Sequence, residues 1–184
     1  MEKGEVLEGK ERTFLEVERY DRVGKQGRRA LISLRALDLE FTGKGEGWVA
    51  ASEALLKQKK ISGSDFSKIQ CLDLFGELIA NTDRHLGNLS FFVERGEKFS
   101  VAPVYDMLPM LYYPKIEVID RKFLPPRPTP SQAAIWRIAL PAAMEFWKLV
   151  SKHERITHDF HIIAKDNYKS LVRLEALVAF LPVQ

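Results

Sequence analysis

The chain has 184 residues, 46% apolar and 29% charged, which is enough for one globular domain with a buried core. Its net charge of +3 gives no indication of a nucleic-acid partner and does not exclude one. One cysteine excludes an internal disulfide, and the charged start and lack of a long apolar run argue against a secretory signal or a membrane span. We therefore expect a cytoplasmic protein with no membrane contact.

The first third of the chain is predicted to contain a strand, a turn and two helices. Residues 12–19 alternate in polarity, which predicts a strand. A glycine-flanked turn follows at 24–27. Leucines at mixed helical spacing predict a helix over 29–40, and a second helix is expected over 52–60 with Ser52 as its cap.

The middle of the chain is predicted to form a helix followed by a β-hairpin. The helix begins near Ser64, where apolar residues start to recur at helical spacing. These apolar residues are Phe66, Ile69, Leu72, Phe75 and Ile79. Two short strands are expected at 89–93 and 99–104, joined by a turn at 94–98 that contains a glycine.

The last third of the chain combines a proline-rich loop with two helices. Seven of the nine prolines lie within 109–141. Because each proline removes a backbone donor and restricts its neighbour, much of this region is expected to be a long, partly extended loop. Helices are predicted from Ser131, with a kink or a new helix at Pro141, and from Thr157 to Phe180.

The most informative pattern is the run Asn-Thr-Asp-Arg-His-Leu-Gly-Asn at 81–88, followed by Val-Tyr-Asp at 104–106. The predicted hairpin would bring Asp106 back beside Asp83 and Asn88. Kinase-type enzymes need one Asp to accept the proton of the attacking hydroxyl, and an Asn and a second Asp to hold Mg²⁺. The simpler alternative is a helix end followed by a turn.

This pattern, within 74–91 and 102–109, resembles the C-terminal kinase domain of HipA-like toxins. Glu-Arg-Tyr-Asp-Arg at 18–22 resembles the hinge segment of the same family, and the closest likeness is to its YjjJ-type branch. The resemblance runs from about residue 13 to near the end of the chain. It implies an α+β, mainly α-helical fold: a protein-kinase-like C-lobe of the HipA type with a small β-hairpin after the catalytic loop.

The resemblance also implies roles for individual residues. It implies a serine/threonine kinase, the toxin of a toxin–antitoxin system, that transfers the γ-phosphate of ATP to a protein hydroxyl. Asp83 resembles the catalytic base, and Asn88 and Asp106 resemble the Mg²⁺ ligands. The residues implied to contact the nucleotide or its metal are Glu18, Tyr20, His85, Asn88 and Asp106. The expected cofactors are ATP and Mg²⁺, and the expected partners are a protein with a reactive Ser or Thr and an antitoxin.

The chain departs from the family pattern before the hinge. The family's phosphate-covering glycine loop and ATP-contacting lysine lie upstream of the hinge, whereas Lys3 and Lys10 lie too close to it. The glycine-rich run 43–47 follows the hinge and is expected to be a flexible loop. We therefore expect residues 1–22 to be the remnant of an N-lobe strand and hinge, and 23–184 to be the C-lobe of an N-terminally truncated protein.

Three functions remain open from the sequence. The first is a HipA-like kinase, with weak or no activity in the isolated chain because the glycine loop and lysine are missing. The second is an inactive C-lobe that binds an antitoxin or the missing N-lobe. The third is a small-molecule kinase, which uses a similar Asp-to-Asn loop, although the hinge-like segment favours the HipA-like assignment. In a kinase, the proline-rich region would be the activation and substrate-docking segment; otherwise it is a surface linker.

Overall fold

The computed structural model describes residues 4–10, 12–113 and 122–182. Within these ranges the chain starts with an antiparallel ribbon of two strands, β1 (Gly4–Glu8) and β2 (Thr13–Val17). β2 confirms the strand predicted over 12–19. β1 was not predicted, because its two apolar residues between glutamates show no strand pattern until they pair with β2. The exposed apolar residues of the ribbon are Val6, Leu7, Phe14, Leu15 and Val17.

A second ribbon and a three-stranded sheet follow. The second ribbon pairs β3 (Arg22–Val23) with β4 (Gly27–Arg28) and so encloses the predicted turn. The sheet has the antiparallel order β5-β6-β7, with β5 (Leu31–Ser33), β6 (Ser90–Glu94) and β7 (Lys98–Val101). β6 and β7 confirm the predicted hairpin, with bounds shifted by one to three residues.

The helix predicted over 29–40 is wrong in its first part. Leu31–Ser33 is a strand that pairs with β6, because tertiary pairing outweighs the helical spacing of its leucines. Helix α1 is a single turn (Leu34–Leu37), capped by the Ser33 hydroxyl. It continues as a π-helical turn over Asp38–Thr42.

Four longer helices form the body of the molecule. They are α2 (Trp48–Lys57), α3 (Gly63–Leu78), α4 (Ala133–Val150) and α5 (His158–Ala179). α3 packs against α2 on one side and α4 on the other, and α4 packs against α5. The predicted mixture of helix and sheet, with helix dominant, is confirmed. Among the described helices, none is both long and apolar enough to cross a bilayer.

The predicted helix bounds need three corrections. α2 begins at Trp48, so Ser52 is a buried residue inside the helix and not its cap. α3 begins at Gly63, because the Ser62 hydroxyl accepts a hydrogen bond from the Asp65 amide. α4 runs continuously through Pro141, so no new helix starts there.

Two hydrophobic cores lie on either side of α3. One is formed with α1, α2 and the sheet, and the other with α4 and α5. Each core contains a buried tryptophan that bonds to the chain near the end of α3. The Trp147 indole N–H donates to the Leu78 carbonyl at 2.9 Å, and the Trp48 indole N–H donates to the His85 carbonyl at 2.8 Å. The last residue of α3 is therefore bonded to one core, and His85, in the segment that follows, is bonded to the other.

The glycine-rich run 43–47 is held by the buried carboxylate of Asp38. This carboxylate accepts hydrogen bonds from the amides of Lys44 and Gly45, both at 2.9 Å, and from the Thr42 hydroxyl. Burial alone would raise the pKa of Asp38, but these hydrogen bonds outweigh burial and lower the pKa. The loop is thus tied down, contrary to our expectation of a flexible loop. Three of its amides are already bonded, because the Gly43 amide also donates to the backbone carbonyl of Asp38, at 2.6 Å. The predicted boundary at residue 22, between a remnant of the N-lobe and the C-lobe, stays a prediction.

Replacing Asp38 by Asn should lower the free energy of unfolding by about 1–3 kcal/mol, because a carboxamide oxygen cannot satisfy all three donors. The pKa of Asp38 is lowered in the folded state. Its carboxylate therefore stabilises the fold above the unfolded-state pKa, and this contribution is lost as the pH falls through the folded-state pKa. Chemical denaturation from neutral pH to about pH 3 should show the wild type and Asp38→Asn converging as the pH falls.

The control for this prediction is Glu40→Gln, which changes an exposed carboxylate in the same π-helical turn. It should leave the free energy of unfolding unchanged at every pH. An equal loss in both variants, or a gap between wild type and Asp38→Asn that does not narrow in acid, would show that Asp38 does not hold the loop.

Candidate active site

The end of α3 presents the predicted catalytic loop. Ala80 takes the left-handed conformation (φ +61°); its amide bonds to the Glu77 carbonyl at 3.0 Å. The Asn81 amide bonds to the Gly76 carbonyl at 2.8 Å. This pair of bonds is a Schellman motif, which ends a helix and turns the chain away from its axis. The helix end that was the simpler alternative for 81–83 is therefore present, and it forms the start of the loop.

Asn81 is 2% exposed and lies behind the loop. Its Oδ1 accepts a hydrogen bond from the Asp83 amide at 2.9 Å, forming a turn that directs the backbone of Asp83. Its Nδ2 lies 3.5 Å from the carbonyl oxygen of Asp106 and 3.7 Å from the sulfur of Met107. One buried amide therefore contacts the chain at both predicted carboxylates, whose side chains are exposed.

Asn88 closes the loop on Asp83. Its Nδ2 donates to the carbonyl oxygen of Asp83 at 2.9 Å, and the side chain is buried. Because the amide donates only through nitrogen, this bond leaves the Oδ1 oxygen as an acceptor or a cation ligand. The two predicted site residues at the ends of the loop are thus in direct contact.

The β6–β7 hairpin returns the chain beside the loop, as predicted. The Tyr105 hydroxyl donates to the Gly87 carbonyl at 2.9 Å and lies 2.7 Å from the Ser90 hydroxyl. Asp106 follows with φ +57°, a left-handed conformation that few residues other than glycine adopt and that Asp tolerates better than most. The hairpin therefore places Asp106 next to Asn81 with its carboxylate exposed.

Arg84 ties the loop back to α3. Its Nε donates to Asp73 and its Nη2 donates to Glu77, each at 3.0 Å. Its Nη1 donates to the Asn81 carbonyl. The arginine stem packs so closely on Gly76 that an added Cβ there would overlap the Arg84 Cδ. This anchor was not predicted from the sequence, although Asp73 and Glu77 are spaced to lie on one face of α3.

Burial is the main influence on the Glu77 carboxyl, and it raises the pKa of this group. The Arg84 guanidinium acts in the opposite direction, while Asp73 adds to the rise. Loss of Arg84 would leave two neighbouring carboxyl groups without their shared cation, which is costly for partly buried charges.

His85 adopts a local turn that fixes its ring. Its Nδ1 accepts a hydrogen bond from the Gly87 amide at 3.0 Å. The neutral ring that makes this bond carries its proton on Nε2, which leaves Nε2–H as a donor. A Cβ on Gly87 would lie only 2.9 Å from the ring carbon Cε1, so a larger residue at this position would displace the His85 ring.

Tyr20 reaches the site through an aromatic stack, and the role of Glu18 stays a prediction. The Tyr20 ring packs edge-on against Phe92, with centroids 6.0 Å apart, and stacks on Tyr105 at 6.4 Å. Because Tyr105 bonds to Gly87, this aromatic stack joins the hinge-like segment to the catalytic loop. Glu18 is exposed just beyond β2 and takes no part in the stack.

The hinge-like segment has its own ion pair. Arg19 donates to both carboxylate oxygens of Asp21, at 2.8 and 2.7 Å. The Arg19 hydrogen bond lowers the pKa of Asp21. The Asp21 carbonyl in turn accepts from the Arg29 amide at 2.8 Å, which fixes the backbone beside Tyr20.

An open cleft of about 790 Å³ lies between the catalytic loop and the proline-rich segment, and Asp83 lines it. On the side of the proline-rich segment, the lining residues are Leu111, Lys122, Phe123, Leu124 and Pro126. Leu124 is 78% exposed within it. Asn88 and Asp106 do not line the cleft, so it offers room for a molecule beside Asp83 rather than beside the two expected cation ligands. The described part of the proline-rich segment therefore borders the site.

The two expected cation ligands suit Mg²⁺ better than they suit a metal whose ligands all come from protein side chains. Among the described residues, no group of three His, Cys, Asp or Glu side chains gathers into a metal cluster. Mg²⁺ takes one or two protein oxygens and completes its shell with water and phosphate oxygens. The Oδ1 of Asn88 and the carboxylate of Asp106 are such oxygens, and both lie at the open end of the β6–β7 hairpin.

Comparison with known proteins identifies the family. The family of HipA-like C-terminal domains matches residues 1–177 of this chain. Toxin YjjJ of Escherichia coli (strain K12) is 35% identical over 172 residues, which cover 90% of this chain and 38% of YjjJ. The chain belongs to the HipA-like family, and the resemblance inferred from its motifs is confirmed.

A solved structure shows the same fold. HipA of Shewanella oneidensis MR-1, determined with HipB and its operator DNA, matches with a TM-score of 0.54 at 16% identity. The match covers 94% of this chain and 50% of that HipA chain. This chain thus spans about half or less of the length of both relatives.

Replacing Gly76 by Ala should displace Arg84 and loosen the catalytic loop. Alanine is normally the better helix former by about 1 kcal/mol, so a destabilising effect would oppose intrinsic propensity. We expect the free energy of unfolding to fall by about 1–2 kcal/mol, as in other overpacked sites. Chemical denaturation should show this loss, and amide hydrogen exchange should be faster at residues 81–88.

Gly63→Ala is the matched control, because it lies on the same helix and a Cβ there meets nothing within 4 Å. It should leave loop exchange unchanged and stability equal or slightly higher. A stabilised Gly76→Ala with unchanged exchange at 81–88 would show that Arg84 is not the anchor of the loop.

Proposed function

We propose that this HipA-like chain is a serine/threonine protein kinase module that uses ATP and Mg²⁺. One observation carries the proposal: the Asn88 side chain donates to the Asp83 carbonyl at 2.9 Å. This bond fixes the candidate base and a candidate cation ligand on one short loop, and it leaves the Asn88 oxygen free for the cation. Kinases need this arrangement because their catalysis consists mainly of positioning and charge neutralisation.

Asp83 is the candidate base. Its carboxylate is exposed and lines the cleft, where a serine or threonine side chain can approach it. As the hydroxyl oxygen attacks the γ-phosphorus, the bond from this phosphorus to the bridging oxygen of the β-phosphate would break and ADP would leave, while Asp83 would accept the hydroxyl proton. The Asn81 and Asn88 side chains hold the Asp83 backbone through its amide and its carbonyl, which fixes the point from which the carboxylate extends.

Asn88 and Asp106 are the candidate cation ligands, through Oδ1 and the carboxylate. Mg²⁺ held there would neutralise charge on the transferred phosphoryl group. The Nε2–H of His85 is a donor suited to a phosphate oxygen, because Nδ1 is occupied by Gly87. The Tyr20 ring stacks on Tyr105, which bonds to the same loop, and this contact supports the proposed role of the hinge-like segment in adenine binding.

The names of the relatives support a role as the toxin of a toxin–antitoxin pair. One relative is named Toxin YjjJ, and the solved HipA belongs to a toxin–antitoxin system with HipB and operator DNA. We therefore propose an antitoxin as a partner. The net charge of +3 decides neither for nor against DNA as a further partner.

A second candidate is a protein-binding module without catalysis. The observation that favours it is the β1–β2 ribbon, which exposes apolar side chains on both faces. Leu15 is 69% exposed and Phe14 is 54% exposed. An isolated two-stranded ribbon is marginally stable in water, so a protein surface that covers it would stabilise it.

Calorimetric titration with ATP separates the two candidates. The wild-type chain should bind ATP more tightly with Mg²⁺ than without it. Asp106→Asn should remove this Mg²⁺ dependence and reduce phosphate transfer by at least about a hundredfold, while its circular dichroism and thermal unfolding stay unchanged. Glu154→Gln, which changes an exposed carboxylate on the surface, is the control and should behave as the wild type. Absence of ATP binding by the folded wild type would favour the binding module.

Asp83→Asn tests the base separately from the cation ligands. It should keep Mg²⁺-dependent ATP binding and reduce phosphate transfer by about 10²- to 10⁴-fold, the usual contribution of a general base. Transfer of labelled phosphate to protein serine or threonine, measured beside the ATP titration, checks this split. Transfer at the wild-type rate would show that Asp83 is not the base.

A further inference from the structure

In the function proposed above, the buried side chain of Asn81 serves only to hold the Asp83 backbone, and its contact with Asp106 has no part. Its backbone is fully occupied: the amide bonds to Gly76 to end α3, and the carbonyl accepts from Arg84. Any residue could supply these backbone bonds. The identity of the side chain therefore needs a separate explanation, because burying an amide is costly unless its polar atoms are satisfied.

The two polar atoms of this side chain face different parts of the site. Oδ1 accepts from the Asp83 amide at 2.9 Å, a bond of ordinary length. Nδ2 is directed at the Asp106 carbonyl, 3.5 Å away, in a longer contact. Only a side chain that carries an acceptor and a donor on one planar group can make both contacts. Asparagine is the side chain of this length that carries such a group.

The backbone at Asp106 needs stabilising contacts. Its left-handed backbone (φ +57°) is less favourable than the usual conformations of a non-glycine residue. Tyr105 ties the chain to Gly87 on one side, and the Asn81 amide contacts the Asp106 carbonyl itself. These contacts set where the Asp106 carboxylate lies relative to Asp83.

We propose that Asn81 is a positioning residue that couples the candidate base to the candidate cation ligand. The inference rests on the proposed function, because the coupling has a catalytic purpose only if Asp83 and Asp106 act together. The Asn81 side chain holds the amide of one aspartate and the carbonyl of the other, so neither backbone shifts without the other. The position of a substrate hydroxyl at Asp83 relative to a phosphate bound near Asp106 is thereby maintained.

Two substitutions separate the role of the donor from that of the acceptor in the Asn81 side-chain amide. Asn81→Asp keeps an oxygen to accept from the Asp83 amide and removes the donor that faces Asp106. Asn81→Leu has a similar size and removes both. The matched control is Asn167→Leu on α5, because Asn167 is also buried (5% exposed) and bonds through its side chain to Tyr112, outside the catalytic loop.

Amide hydrogen exchange in the full chain is the direct measurement. Asn81→Asp should speed exchange at residues 106–108 by on the order of fivefold to tenfold, as loss of one net hydrogen bond implies, and leave the Asp83 amide protected. Asn81→Leu should speed exchange at both places. Asn167→Leu should leave both unchanged. Equal protection at 106–108 in the wild type and Asn81→Asp would overturn the coupling, as would faster exchange spread evenly along the chain.

ATP titration then links the coupling to function. Asn81→Asp should weaken ATP binding in the presence of Mg²⁺ and leave binding without Mg²⁺ unchanged, which a purely structural role would not produce. Equal weakening in both conditions would overturn the positioning role. If the wild type itself shows no Mg²⁺ dependence, the proposed kinase function fails, and the exchange experiment still decides whether Asn81 couples the two segments.

Discussion

The Schellman end of α3 is the constraint on which the rest of the site depends. It turns the chain at Ala80 and so delivers Asn81 to a buried position between the two hydrophobic cores. Trp147 bonds from one core to the last turn of α3, and Trp48 bonds from the other core to His85. The stretch from Leu78 to His85 is therefore bonded to one core at its first residue and to the other core at its last.

Short-range sequence patterns predicted the secondary-structure elements that contacts between nearby residues stabilise. The β6–β7 hairpin followed from alternating strands around a glycine turn, and α3 followed from apolar spacing, because neighbouring residues decide both. β5 could not be predicted in this way, because its partner strand lies about sixty residues away and the leucines spaced along residues 31–39 suggest a helix. The side-chain roles of Asn81, Arg84 and Asp38 also depend on contacts made only after folding. The motif identified Asp83 and Asn88, and the structure adds the residues that hold them.

Two non-glycine residues in left-handed conformations, Ala80 and Asp106, flank the candidate site. Each costs roughly 1–2 kcal/mol relative to a right-handed residue, so each needs compensating interactions. The Schellman hydrogen bonds compensate at Ala80, while Tyr105 and Asn81 contact the chain at Asp106. Strained backbone of this kind concentrates at functional sites, where position matters more than stability.

Asp83 and Arg84 are neighbours in the sequence and carry opposite charges, but the Arg84 side chain is directed elsewhere and does not pair with Asp83. An arginine paired with Asp83 would occupy the carboxylate oxygens that must receive a proton. Instead, the Arg84 guanidinium is directed at Asp73, Glu77 and a backbone carbonyl. Its charge stabilises the join between loop and helix, and the Asp83 carboxylate stays exposed to the cleft. By pairing with Arg84, two acidic residues on α3 thus leave the carboxylate of the candidate base unpaired with the neighbouring arginine.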